Sequence, residues 1–268
     1  MHKAARHVLG LSGGKDSAAL AIYMRDRVPE MEYVFCDTQK ELQETYDYLD
    51  RLETVLGKGI TRLNAARGFD HWLELYGGYL PSSRMRWCTR MLKIKPFEEF
   101  VGDDLVFSYV GIRADEDRGG YVSSKPNITP VFPFKDDGIR EADVFRILQE
   151  AGVGLPRYYE WRTRSGCYFC FFQRKAEWVG LLERHPDLFE KAKAYEKLDP
   201  KTGVRYTWSQ SESLEELERP ERVAEIKENH ARALGKRPAR LSGQKLVQVF
   251  AEALNDDDDT EPCLICNL

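Results

Sequence analysis

Along the first 150 residues, apolar positions alternate between short continuous runs and helical spacing. Residues 7–11 read as a short buried strand. Over 15–27, Ala18, Ala19, Ile22 and Tyr23 recur on one helical face, and Pro29 stops the run. Residues 33–36 form a second apolar strand. Leu42, Thr45, Leu49, Leu52 and Leu56 then recur at three- and four-residue steps, which predicts a helix over 41–56, ended by Gly57 and Gly59. Further strands are predicted over 60–63 and 105–110, and helices over 69–76, 88–100 and 141–151. Residues 128–134 are extended and contain Pro130 and Pro133.

Strands alternating with helices imply parallel crossovers, and so an α/β fold with a doubly wound, mostly parallel, Rossmann-like sheet. After about residue 155 the strand signal stops. A basic and aromatic stretch leads into helices over 174–197, 214–234 and 241–254. The expected organisation is an α/β domain over 1–155, a CxxC segment and helical C-terminal region over 156–254, and an acidic tail over 255–268.

At 268 residues and 42% apolar content, the chain can bury a substantial core. No run approaches the ~18 apolar residues of a membrane span. The start, Met1 to Arg6, lacks a secretory core, so the sequence reads as cytoplasmic. Net charge is −4, but Asp256 to Asp259 and Glu261 supply five of the negative charges. The acidity therefore does not exclude a nucleic-acid substrate. Six cysteines, four of them in two CxxC pairs, point to metal or redox chemistry rather than disulfides.

The strongest signal is Ser12-Gly13-Gly14-Lys15-Asp16-Ser17, between a strand and a helix. Two glycines allow a tight turn, and backbone N–H groups at a helix N-terminus make a phosphate site. The spacing is neither the Walker A pattern nor the dinucleotide turn. Ser12 to Ser17, Asp37-Thr38 and Gly111-Ile112-Arg113 all follow predicted strands and should converge on one crevice.

The loop resembles the PP-loop of ATP pyrophosphatases. Val34-Phe35-Cys36-Asp37-Thr38, the Trp87 to Pro96 segment with Cys88-Thr89 and Leu92-Lys93, Gly111 to Glu116, and Gly166-Cys167-Tyr168-Phe169-Cys170 resemble the phosphoadenosine phosphosulfate (PAPS) reductase branch. They look most like the DndC/SspD-type proteins of DNA phosphorothioation. The resemblance spans about residues 7–195 and implies an adenine nucleotide alpha hydrolase-like fold. It implies ATP with Mg²⁺ on Ser12, Gly13, Gly14, Lys15, Asp16, Ser17, Asp37, Thr38, Gly111 and Arg113. Of these, Lys15, Asp16 and Arg113 would be catalytic. Asp16 would touch Mg²⁺ or favour the helix N-terminus; Asp37 would bind ribose or metal, or cap the next helix.

The resemblance also places Cys88, Cys167 and Cys170 at cluster-binding positions. A 4Fe-4S cluster usually takes four cysteines. The fourth would be Cys263 or Cys266, or would be replaced by an open iron; zinc or free thiols are the alternatives. Cys36 reads as core. Between 157 and 175, five cations and seven aromatics interleave, and Arg162 and Arg164 are expected to face the substrate.

The implied function is adenylation of a substrate by ATP cleavage to AMP and pyrophosphate, followed by sulfur incorporation, most directly into DNA. The implied partners are nucleic acid, a cysteine desulfurase or other sulfur donor, and other modification-complex subunits, with no membrane. A tRNA-thiolation enzyme is the nearby alternative. A PAPS or APS reductase is another, although the terminal Glu261 to Cys266 lacks the tail pattern of those enzymes. A non-catalytic nucleotide sensor is the third.

Overall fold

A computed structural model describes residues 4–117, 123, 125–199, 202–209 and 212–235. The described chain forms two compact units. The first takes in residues up to 77 and 86–167; the second takes in 78–85 and the chain from Tyr168 onward.

The first unit is built on five parallel strands in the order β3-β2-β1-β4-β5: β1 Arg6–Leu11, β2 Glu32–Asp37, β3 Ile60–Asn64, β4 Val106–Tyr109 and β5 Ile128–Val131. Between them run α1 Lys15–Met24, α2 Gln43–Leu56, α3 Phe69–Leu75, α4 Trp87–Thr89 and α5 Lys95–Val101; α6 Pro133–Asp136 and α7 Glu141–Glu150 follow β5. Side chains alternate across the strands. Leu9, Leu11, Tyr33 and Phe35 pack with α1, α2 and α7, while Val8, Val34, Cys36 and Val106 pack with Phe97 and Val101 of α5. Both faces are covered, which is why the central strands carry near-continuous apolar runs. The doubly wound expectation holds.

The expected 88–100 helix is interrupted by a π-helical stretch, Arg90–Ile94, between α4 and α5. The wider turn is set against β2, and the Cys36 thiol donates to the Lys93 carbonyl at 3.5 Å. Cys36 is buried, as expected of a core residue. The expected 128–134 extension stops at Val131, and Pro133 starts α6 instead, as proline at a first helical position favours.

The second unit contains α8 Lys175–Arg184, α9 Pro186–Lys193, α10 Leu214–Leu217 and α11 Pro220–Gly235. Pro186 and Pro220 split what the periodicity presents as two long helices. Strands are not absent here: β6 Lys197–Leu198 and β7 Arg205–Tyr206 pair antiparallel. Their two-residue length leaves no alternation to read, and Gly203 at φ 69° closes the turn. Trp208, stacked on Phe169 at 4.9 Å, anchors this unit's core. The helix expected over 241–254, the acidic tail, Cys263 and Cys266 lie outside the described residues.

The 156–167 stretch belongs to the first unit. Two long-range contacts tie it there: the Tyr158 hydroxyl donates to Gly13 O at 2.7 Å, and Ser165 reaches Ser12. No helix among the described residues is long and apolar enough to cross a membrane.

Candidate functional site

The sheet order reverses direction between β1 and β4, and ligands of open α/β sheets bind beyond the carboxyl ends of the strands at such a switch point. The turn after β1 is residues 12–14. Gly13 sits at φ 75°, and a Cβ there would lie 2.5 Å from Thr45 Cγ2 of α2. Gly111, after β4, is tight as well, though less so: a Cβ would come 3.0 Å from the Asp16 carbonyl oxygen. Only glycine lets the β4 turn lie against the first turn of α1.

The Ser12 and Ser17 hydroxyls shape the loop. The Ser17 hydroxyl accepts from Ser12 N at 3.1 Å and donates to Gly14 O at 3.2 Å, while Gly14 N donates to Ser12 Oγ at 3.3 Å. Ala18 N to Gly14 O is the first bond into α1 from the loop, so the Asp16 and Ser17 N–H groups precede any intrahelical acceptor. They give the turn its capacity for anions. The Lys15 N–H is taken by the Tyr159 hydroxyl at 3.2 Å.

Above the loop lies an ion-pair network. Asp16 accepts from Arg113 Nη1 at 2.8 Å through one oxygen and from Lys15 Nζ at 3.1 Å through the other. Arg113 also meets Asp115 at 2.9 Å and Glu116 at 2.9 Å, and Lys15 Nζ lies 3.5 Å from Glu141. Burial works against the Arg113 charge, but the bonds to Asp16 and its acidic neighbours outweigh it and raise its pKa. Two cations thus face four carboxylates. A phosphate ligand entering this surplus of negative charge favours a divalent cation as companion. Such an ion takes most of its ligands from phosphates and water, with one or two carboxylates. With both oxygens ion-paired, Asp16 holds Lys15 and Arg113. Glu141 is the more exposed carboxylate of the set.

Beside the loop, Asp37 closes its own turn. Its Oδ1 accepts from Gln39 N at 2.8 Å and from the Tyr46 hydroxyl at 2.8 Å. Thr38 donates to the buried Glu41 carboxylate at 2.7 Å, and its oxygen lies 3.1 Å from Cys167 Sγ. Glu41 and Cys167 also form a β-bridge. Burial pushes the Glu41 carboxyl up, with the Lys93 charge and the Thr38 bond opposing.

Cys88 and Cys167 lie in the first unit and Cys170 in the second. Among the described residues, no group of three or more His, Cys, Asp or Glu side chains could hold a metal ion.

Arg162 is the clearest departure from expectation. It does not face a substrate but is 1% exposed, with its guanidinium donating to Gly166 O at 3.1 Å and Cys167 O at 2.8 Å. It clamps the turn that carries Ser165 and Cys167. Arg164 is half-buried. Tyr158 and Tyr159 stand among the seven aromatics of the 157–175 stretch, and Ser165 and Glu141 carry no signal in the sequence; all four reach the loop or Lys15. Only the cation-and-aromatic composition of 157–175 hinted at this segment's importance.

The sequence profile of the phosphoadenosine phosphosulfate reductase domain matches residues 6–170. The chain is 28% identical over 198 residues to one uncharacterised protein of Methanocaldococcus jannaschii, covering 69% of this chain and 40% of that one. It is 26% identical over 192 residues to a second, covering 67% and 45%. An uncharacterised 37.8 kDa protein of Escherichia phage 186 is 24% identical over 254 residues, covering 72% and 75%. The chain thus spans less than half the length of the two archaeal relatives. Among solved structures, a PAPS reductase from Candida auris in a phosphate complex aligns at TM-score 0.47 and 14% identity, covering 62% of this chain and 82% of that one. The U34-tRNA thiolase NcsA of Methanococcus maripaludis, with its [4Fe-4S] cluster, aligns at 0.41 and 14%, covering 84% and 80%.

Proposed function

The chain belongs to the phosphoadenosine phosphosulfate reductase domain family, and from that premise we propose that it cleaves ATP to AMP and pyrophosphate in order to activate a substrate for sulfur incorporation. The observation that carries this reading is the convergence of the α1 first turn, Lys15 and Arg113 at the β1–β4 switch point.

In the proposed reaction a substrate oxygen attacks the α-phosphorus of ATP. The bond from that phosphorus to the bridging oxygen breaks, and pyrophosphate leaves with the electron pair. The N–H groups of Asp16 and Ser17 receive the departing oxygens, and Lys15 and Arg113 stabilise the charge that develops on them. Asp16 holds both cations in position before the nucleotide arrives. Magnesium, when bound with ATP, offsets phosphate charge, and Glu141 is the carboxylate placed to reach it. The substrate oxygen, now an adenylate, becomes a good leaving group for a sulfur nucleophile.

The acceptor we favour is a DNA backbone phosphate, on the DndC/SspD-like look of the motifs at Cys88, Gly111 and Cys167; a tRNA base is the second. One experiment tests the central reaction. Pyrophosphate release from [γ-³²P]ATP is expected, rising with the right acceptor. Thioredoxin-dependent sulfite release from PAPS, with ATP left intact, would overturn the reading in favour of a sulfonucleotide reductase.

A further inference from the structure

The residues that reach the loop from the far side of the sequence are not explained by packing alone. Tyr158 is buried and pinned through its hydroxyl to Gly13 O at 2.7 Å, and Tyr159 stacks on it with ring centroids 5.0 Å apart. The Tyr159 oxygen accepts the Lys15 N–H at 3.2 Å, which leaves its own proton to donate elsewhere. Burial pushes this phenol up, so it keeps that proton at neutral pH. Lys15 Nζ lies 5.9 Å over the same ring. Ser165 Oγ is 3.2 Å from Ser12 Oγ and 2.9 Å from where a Gly14 Cβ would stand. Gly14 therefore lets a second hydroxyl reach the loop.

Between these two hydroxyls in sequence is Arg162. Its guanidinium is buried, bonds to two carbonyls, and leaves Nε with no hydrogen-bond partner. Its charge is felt by both tyrosines. A buried cation bonded to carbonyls alone is costly unless an anion comes near.

We propose that the hydroxyls of Tyr159 and Ser165 are phosphate ligands of this site, so that pyrophosphate is held from two sides, by the first turn of α1 and by the 158–165 segment. Arg162 supplies charge from behind that second wall and fixes the turn bearing Ser165. This inference rests on the ATP-cleavage reading and adds ligands to it.

The test is calorimetric titration of magnesium pyrophosphate, with AMP as control, into the full chain as wild type, Tyr159→Phe, Ser165→Ala and Ser165→Thr. Loss of one hydrogen bond to a charged oxygen predicts about tenfold weaker pyrophosphate binding for the Phe and Ala variants. AMP affinity should be unchanged, and Thr should restore binding. Unchanged or tighter pyrophosphate binding would overturn the proposal; tighter binding would make these hydroxyls a plug over the amides. Equal losses for AMP and pyrophosphate would also overturn it, as a structural effect. A wild type that binds AMP but no pyrophosphate would bring down the ATP-cleavage reading as well. If Tyr159→Phe does not fold, the Ser165 pair decides.

Discussion

Arg113 and Asp16, 97 residues apart, meet at 2.8 Å and join the turn after β4 to the first turn of α1. The pair acts as a unit because Asp16 holds Lys15 with its other oxygen. Lysine cannot span Asp16, Asp115 and Glu116 as the guanidinium fork does. Arg113→Lys is expected to lower pyrophosphate release about a hundredfold. Asp16→Asn should cost a similar factor, and the double variant little more, since the second change removes an interaction already lost. A kinetic double-mutant cycle measures this; additive losses would show that the residues act independently.

Lys15→Ala should abolish pyrophosphate release while leaving the circular dichroism spectrum unchanged. The side chain is mostly buried among charges rather than in the apolar core, so the stability change should stay within about 1 kcal/mol. Turnover at the wild-type rate would remove the loop lysine from the chemistry.

Gly13→Ala meets two penalties: a backbone at φ 75° and a 2.5 Å approach to Thr45 Cγ2. Together they predict a loss of about 1–3 kcal/mol. Adding Thr45→Ser removes the methyl but not the backbone strain, so it should recover only part of the loss. Chemical denaturation of the three proteins separates the two effects; full recovery would make the contact the whole cause.

In the second unit, Glu212 accepts from Arg222 Nε and Nη2, both at 2.8 Å, and pairs with Lys175 at 2.9 Å. The Arg222 bonds hold its carboxyl below the ordinary 4.5, against burial and with help from Lys175. A depressed folded-state value stabilises the fold above the unfolded-state value and ceases to do so as pH falls through the folded one. Glu212→Gln should therefore cost about 1–2 kcal/mol at pH 7. The gap in melting temperature between the two proteins should close as the solution is taken well below pH 4.5. A gap independent of pH would mean that the charge is not what matters.

The loop at 12–17, Gly111 and Arg113 were readable because each follows a strand marked by a dense apolar run, and strand ends share one edge of a parallel sheet. Asp37 and Thr38 were readable for the same reason, though their bonds to Tyr46 and Glu41 were not. Tyr159 and Ser165 reach the loop across 144 and 153 residues, and no local period records such a contact. Arg162 shows the limit most sharply. Amid aromatics, an arginine looks the same in sequence whether it rims a groove or braces a turn from inside. Only the acceptors at Gly166 and Cys167 tell the two apart.

The wide turn at Arg90–Ile94 also fixes what this part of the chain can tolerate. A five-residue step holds one residue more than a regular turn needs, so a deletion inside Arg90–Ile94 would let ordinary winding close over the gap while the helix on either side kept its bearing. Trp87 would keep its berth beside Phe69 and Tyr76, whereas the same deletion within α5 would turn the residues on one side of it by about 100°. Here the segment carries a spare residue: a homologue one residue shorter at this place would still aim the same side chains at the sheet.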